Sequence, residues 1–508
     1  MLKLFRVDLN EPSSVSVAPG APRIIPRAEH PVSRSDISPN ALRVLYRLKE
    51  AGFQAFRVGG CVRDLIIGRH PKDFDVATDA LPDEVRRLFR NCRLVGRRFR
   101  LAHIVYGRDV IEVATFRAAS APPPSEDPVP SREEDEEELL DEDDEAGDEA
   151  ADGSDAAAPT PYESGYRRDG GESVHRVQND HGRLLRDNVY GSIDEDIWRR
   201  DFTVNALYYN IADFSIWDYT NGLADIHARR LRLIGDVETR YREDPVRMLR
   251  AARFEAKLGF TLDAEGAAPI PQLRQLLAGV PPARLFDEIT KLFLGGHGAE
   301  SYRVLRERGL FGVLFPAAER YLQQHPGSLV EALLIQGLRN TDARVAEDKP
   351  VTPTFLFALL LYGPIAAAIE ALPAQRWHEA QAILEACDQA LREAQQRVSI
   401  PRRIALGVRE MYALQPRLEV PGGRRALRLL EQPRFRAAFD LLALRAAIGL
   451  APAETAQWWT TLQVVSPEER EQMADAMPRS ARGAPSAADD SGTAPRRRRR
   501  RRSRSRGG

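Results

Sequence analysis

Cysteine is scarce in this chain, with only Cys61, Cys92 and Cys387 among 508 residues. Their number and scatter exclude a disulfide framework and the paired CxxC spacing of a structural zinc site, and they fit a reducing cytosol. Long apolar runs are also missing. No stretch approaches the roughly 18 apolar residues of a membrane-spanning helix, and the opening "MLKLFRVDLNEPSSVSVAPGAP" lacks the sustained apolar segment of a secretory signal. Neither export nor membrane insertion is expected. Net charge is nearly absent as well, because 73 Lys and Arg stand against 74 Asp and Glu. The two signs are segregated along the chain, so the place of charge says more than its sum.

What is present suffices for two or three packed domains, with 43% hydrophobic and 29% charged residues. Residues 1–36 are rich in Pro and Ser without periodicity and read as a loosely ordered arm. In "SPNALRVLYRLKEAG", Leu42, Val44, Leu45 and Leu48 recur at helical spacing, with Ser38 or Asn40 as cap and Gly52 as stop. "FQAFRVGG" reads as a strand, "CVRDLIIG" as a helix opening on a glycine pair, and "DFDVAT" as a second strand. "FRLAHIVYGRDVIEVATFR" reads as a hairpin turning at Gly107. These elements predict a mixed α/β domain over 37–225. It is interrupted at 119–173 by an acidic low-complexity insertion, whose composition cannot bury enough apolar surface to offset chain entropy and is expected to be disordered. From residue 226 helical patterns dominate, dividing into segments 226–300 and 301–466. Residues 467–508 form a polar linker and a basic tail with nine arginines between 496 and 506.

One short stretch asks for a chemical explanation. "HPKDFDVATDA" places Asp73 and Asp75 two residues apart, so on a strand they share a face. Two such carboxylates suit a hard divalent cation held together with substrate phosphates, although an isolated DxD more often only ends a strand in a turn. The neighbours change that balance. Gly59 and Gly60 in "VGGCVRD" let backbone N–H groups approach a phosphate, and Arg63 offers a planar donor fork. Further on, "EDPVRMLRAARF" places Asp244 and Arg247 at i, i+3 and repeats arginine at 247, 250 and 253.

Together with "RRDFTVNALYY" (199–209) and "RYREDPVRMLRAARFEAKLGF" (240–260), these motifs resemble the class II nucleotidyltransferases of the polymerase beta superfamily, which comprise CCA-adding enzymes and bacterial poly(A) polymerases. The resemblance implies an α/β nucleotidyltransferase head with a polymerase beta-like mixed sheet, then an all-α nucleotide-selecting neck and an RNA-binding body. It also implies two Mg²⁺ ions, with Mn²⁺ as the alternative, on Asp73 and Asp75. Asp201 matches the third catalytic acid, a role for which Glu112 of "IEVATFR" competes. Gly59, Gly60, Arg63 and Arg200 match triphosphate-binding positions, while Asn205 organises the turn. Asp244 and Arg247 match the residues that read the edge of the incoming base, and Arg250 and Arg253 those that help hold it.

The segment "LVGRRFRLAHIV" (94–105) separates the two activities. Its aliphatic pair, glycine, two basic residues and FxLxH resemble the mark of the poly(A) polymerase branch, and put Arg97, Arg98 and Arg100 forward as RNA contacts. His103 reads as a packed strand residue. Arg496, Arg497, Arg498, Arg499 and Arg500 of the tail suit sequence-independent binding to RNA phosphates. The implied reaction is template-free addition of adenylate from ATP to RNA 3′ ends, on mRNA and regulatory RNA in the cytoplasm, serving RNA turnover with protein partners of decay. A CCA-adding enzyme and a catalytically silent RNA-binding module are the alternatives. The opposite charges of insertion and tail suggest a transient pairing that tempers RNA binding at low salt, against which stands a simple surface-loop expansion.

Overall fold

The computed structural model describes residues 21–71, 74–96, 100–118, 177–178, 184–186, 190–373 and 380–476. The acidic insertion at 119–173 and the arginine tail lie outside these residues. The chain divides at Ile226 into two compact units.

The first unit is built on a mixed sheet. Its strands are β1 (Arg23–Ile25), β2 (Ala55–Val58), β3 (Val76–Thr78), β4 (Cys92–Val95), β5 (Leu101–Tyr106), β6 (Asp109–Thr115), β9 (Leu207–Asn210) and β10 (Ile216–Asp218), after the separate pair β7 (Val177–Gln178) and β8 (Leu184–Arg186). The sheet order is β1-β10-β9-β2-β3-β6-β5-β4. β5 and β6 form the hairpin expected around Gly107, and β3 runs parallel to β6 with Val76 opposite Val113. Regular pairing of β3 begins at Val76, so the expected strand is shorter than "DFDVAT", although Val58 N still donates to Asp75 O at 3.2 Å. The described part of the N-terminal arm, from residue 21, also differs from expectation. Arg23–Ile25 pairs antiparallel with β10 and buries Ile25. Three residues are too few for alternation to be visible in sequence.

Helix α1 (Pro39–Glu50) begins where Ser38 Oγ accepts from Ala41 N at 3.1 Å. Its buried Val44, Leu45 and Leu48 recur at one helical face, which packs on β2, β3 and β6. The other face of the sheet carries Phe56, Val58, Ala77, Phe116 and Tyr208, covered by Ile193 and Ile197 of the helix Ile193–Trp198. Every second residue of each strand faces the same side, so the sequence of β2 and β3 fixes which residues reach which layer.

The described residues of the second unit are largely helical, apart from a two-residue parallel pairing of Arg230–Leu231 with Thr261–Leu262. Near its start, Val237–Glu243 and Val246–Leu258 meet at Asp244 and Pro245, and the longer helix ends on Gly259 in the left-handed region. Farther along, Trp459 is fully buried among Phe435, Phe439 and Leu418 and donates from Nε1 to Leu418 O at 2.8 Å. Among the described residues no single helix is long and apolar enough to cross a membrane.

Candidate active site

The carboxylate strand sits beside the glycine turn because of register. Arg57 pairs with Val76 across β2 and β3, and Val76 with Val113 across β3 and β6. One residue back on β3, Asp75 falls between Val58, which leads into Gly59, and Glu112. Neighbouring strands lie about 4.8 Å apart and paired residues share a face, so this register, continued one residue beyond β3, would bring Asp75 alongside Glu112. Glu112 keeps a half-exposed side chain, 3.6 Å from His103 of β5. Asp73 lies outside the described residues, as do Arg97 and Arg98; Arg100 is exposed. Among the described residues no group of three His, Cys, Asp or Glu side chains converges as a metal cluster. The donors that the register aligns are carboxylate oxygens, which fit a hard cation such as Mg²⁺.

Gly59 has φ +77°, a conformation that side-chain-bearing residues avoid, and it caps the helix Gly60–Ile66. A Cβ at Gly59 would lie 3.7 Å from Arg200 Nη1. That guanidinium is held from behind. Arg200 Nε donates to Tyr208 Oη at 2.6 Å, Arg200 Nη2 to Asp196 Oδ2 at 3.1 Å, and Tyr208 Oη to Asp196 Oδ2 at 2.7 Å. Arg199 Nη2 stands 3.6 Å from the other Asp196 oxygen. Burial pushes the Asp196 carboxyl up, but Arg200, Arg199 and the Tyr208 hydroxyl outweigh it and hold the group below the usual carboxylate range. Burial, aided by Asp196, drives the Tyr208 phenol far above its ordinary value.

Arg63 differs from the expected open phosphate donor. It is 1% exposed, and its Nε and Nη2 bond to Asp64 Oδ1 at 2.8 and 2.6 Å while Nη1 bonds to Asn205 Oδ1. Asn205 Nδ2 then donates to Asp201 Oδ1 at 3.2 Å, and Asp201 Oδ1 also accepts from Phe202 N at 2.8 Å. Arg63, Asn205 and Asp201 therefore form a chain of bonds beneath the glycine turn. Gly60 lies over it, its virtual Cβ 3.3 Å from Arg63 Nη2.

In the second unit, Asp244 and Arg247 are joined through the backbone, Arg247 N donating to Asp244 O at 3.0 Å. Their side chains have separate partners. Asp244 Oδ2 accepts from Arg284 Nη2 at 2.7 Å, whereas Arg247 Nη1 donates to Arg240 O at 2.6 Å and to Glu243 Oε2 at 3.2 Å. Arg250 and Arg253 lie against the Phe254 ring at 5.4 and 4.7 Å, and Arg253 Nε is 3.9 Å from Glu288. Sequence reasoning missed Asp196, Tyr208 and Arg284. Asp196 precedes "RRDFT" with no motif of its own, Tyr208 lies within "RRDFTVNALYY" but carries no polar signal there, and Arg284 is 40 residues from its partner.

Comparison with known proteins gives a consistent answer. Residues 55–232 match the family described as "Poly A polymerase head domain", 259–322 "Probable RNA and SrmB- binding site of polymerase A", and 375–505 "Polymerase A arginine-rich C-terminus". The chain is 44% identical to poly(A) polymerase I of Salmonella typhi over 472 residues, covering 91% of each. It is 42% identical to that of Haemophilus influenzae, covering 89% of this chain and 90% of the other. The CCA-adding enzyme of Lactobacillus helveticus is 31% identical over 54% of this chain and 55% of its own. A solved "tRNA-processing enzyme (apo form 2)" shares the fold with a TM-score of 0.51 at 20% identity, covering 85% of this chain and 98% of that one. With its mixed-sheet head, its helical second unit and full-length similarity of this order, the chain belongs to the poly(A) polymerase I family.

Proposed function

We propose that the protein is a template-independent polynucleotide adenylyltransferase, which converts ATP and an RNA 3′-OH into RNA one adenylate longer and pyrophosphate. The observation that carries the reading is the convergence of Asp75, Gly59, Gly60 and Arg200 at one end of β2 and β3. Asp73 and Asp75 would hold two Mg²⁺ ions, or Mn²⁺, which when bound lower the pKa of the attacking 3′-OH and stabilise the departing pyrophosphate. Arg200, its Nε and Nη2 fixed by Asp196 and Tyr208, presents its remaining edge to the triphosphate over the glycine turn. Gly59 and Gly60 keep that approach open. Arg63 and Asn205 brace the turn from below and hold Asp201 in place, so Arg63 supports the triphosphate through Gly60. Glu112 stands next to Asp75 and competes with Asp201 as the third acid.

Base choice falls to Asp244 and Arg247. A carboxylate and a guanidinium supply both acceptor and donors to the edge of adenine, so protein groups replace a template. Arg250 and Arg253 continue that surface. Arg97, Arg98, Arg100 and the tail arginines 496–500 bind RNA phosphates, which is the sequence-independent affinity a tailing enzyme needs. The substrates are mRNA and regulatory RNA ends in the cytoplasm, tailed for turnover, and the tail would also be available to protein partners of decay.

The test incubates the purified chain with Mg²⁺, a labelled RNA that is not a tRNA, and each nucleoside triphosphate separately. Long ladders with ATP alone are expected. Addition of CCA to a trimmed tRNA with no extension of the other RNA would assign the CCA activity instead, and RNA binding without any addition would leave only a binding module.

A further inference from the structure

In the helical unit a cavity of about 360 Å³ carries Arg253, Lys257, Thr290, Lys291, His297 and Ser301 on a lining that also includes two leucines and a glycine. These residues come from the helix Val246–Leu258, the helix Pro282–Phe293, the following loop, and the helix Gly298–Glu307. Three of the lining side chains carry a fixed positive charge, His297 can gain one, and no acid is among them. Two acids stand close by. Glu288 is 3.1 Å from Lys291 Nζ and 3.9 Å from Arg253 Nε, and Asp342 accepts from Gly298 N and Ala299 N at 2.6 and 3.0 Å. Ser301 adds a second, independent sign. It is 1% exposed, yet its hydroxyl has no hydrogen-bond partner among the described residues. Buried hydroxyls are ordinarily paired, so a donor left open at the wall of a cationic cavity points to an acceptor that comes from outside.

We infer that this cavity receives an internucleotide phosphate of the RNA being tailed. The inference rests on the adenylyltransferase reading and places part of its RNA path. A phosphodiester carries one negative charge and several acceptor oxygens, which match Lys257, Lys291 and the Ser301 hydroxyl. The incoming nucleotide is a poorer match. The helix carrying Arg247 rises 1.5 Å per residue, so Lys257 lies about 15 Å beyond the base-reading end. Phosphates recur along a strand and can reach that point; of the lining residues only Arg253 belongs to the nucleotide-holding set, while the base-reading Asp244 and Arg247 lie at the other end. The cavity also falls largely within the stretch similar to a probable RNA-binding segment.

The experiment compares the full chain with K257Q/K291Q and the charge-keeping K257R/K291R. Binding of a labelled single-stranded RNA is followed across a salt series, beside KM for ATP and a thermal melt. K257Q/K291Q should bind RNA about 5- to 20-fold more weakly at low salt. Its plot of log affinity against log salt should flatten by about 0.7 for each phosphate that the variant no longer neutralises, with KM for ATP unchanged. K257R/K291R should bind like the parent. S301A, which removes only the hydroxyl, should weaken RNA binding about 3-fold at every salt concentration and provides the reading if the double variant does not fold. An unchanged slope in K257Q/K291Q, or a raised KM for ATP with intact RNA affinity, would overturn the assignment. Binding needs no catalysis, so absence of ATP-dependent ladders from the parent chain would count against the adenylyltransferase reading alone.

Discussion

Arg284 Nη2 donates to Asp244 Oδ2 at 2.7 Å, tying the first turn of one helix to the junction between two others. Burial pushes the Asp244 carboxyl up, but Arg284, with help from Arg247, more than reverses this and keeps the group below its ordinary range. A depressed carboxyl contributes stability above the unfolded value near pH 3.9, and the contribution is lost as pH falls through the lower folded value. Asp244 is therefore ionised at neutral pH and can only accept from a base edge. R284A should lower kcat/KM for ATP about 10-fold, equivalent to about 1.4 kcal/mol. Its preference for ATP over the other three nucleotides should narrow while RNA affinity stays the same, as steady-state assays with each nucleotide would register.

Asp196 answers to both a phenol and two guanidinium groups. Removing its charge leaves Arg200 buried beside a neutral amide, and breaking a buried pair in this way typically costs about 3–5 kcal/mol. D196N should shift the urea midpoint down accordingly. Y208F keeps the ring under Arg200 and loses only the hydroxyl, so a cost of about 1–3 kcal/mol is expected, together with a raised KM for ATP. The sign with pH is fixed by the lowered Asp196 carboxyl: the parent loses this contribution only in acid, below the ordinary carboxylate range, whereas D196N lacks it at neutral pH and should show a flatter acid limb.

Substitution would separate the two contenders for the third acid, Glu112 and Asp201. Asp75→Ala should abolish nucleotide addition while leaving RNA affinity intact. E112Q should then reduce single-turnover incorporation by about 100-fold or more, since its carboxylate neighbours Asp75 on the sheet. D201N, whose parent oxygen already accepts from Phe202 N and Asn205, should cost about 10-fold through a displaced glycine turn. The reverse order would restore Asp201 as the acid at the metals.

Arg57 is fully buried on β2, stacked 4.1 Å over the Phe74 ring, with Nε 3.1 Å from Cys61 Sγ and both Nη groups without a hydrogen-bond partner among the described residues. A cation in that position is costly unless the ring repays it, and desolvated cation–π pairs are worth about 2 kcal/mol. Phe74 directly precedes Asp75, so fixing its ring fixes the backbone that leads into that carboxylate. R57M should keep or raise the thermal midpoint and yet reduce kcat, with a higher Mg²⁺ requirement. A variant that lost stability and activity in parallel would make Arg57 an ordinary structural residue.

Much of this arrangement was legible in the chain. The helical period of Val44, Leu45 and Leu48, the glycine pair, the turn at Gly107 and the arginine repeat of 247, 250 and 253 each carry a local signal, and each occupies the kind of element that signal implies. What escaped depends on distance in sequence. Nothing local tells that Arg63 will spend its donor fork on Asp64 and Asn205, because Asn205 is 142 residues away. Arg23–Ile25 forms an edge strand only because β10 is there to pair with it. Asp196 resembles any acid in the first turn of a short helix until Tyr208 and Arg200 close on it.

The base of the acidic insertion is fastened. Arg117 and Tyr190 form an antiparallel bridge, Gly191 N donates to Phe116 O at 3.0 Å, and a Cβ at Gly191 would come within 2.7 Å of Ala118 N. Whatever chain joins those two points leaves and re-enters the sheet at one spot, and doubling its length adds only about 0.6 kcal/mol of closure entropy. The position therefore behaves as a splice port. A fluorescent or affinity domain with adjacent termini could replace the insertion there without disturbing the sheet, and lineages could lengthen or recolour this loop while the enzyme beneath it stayed unaltered.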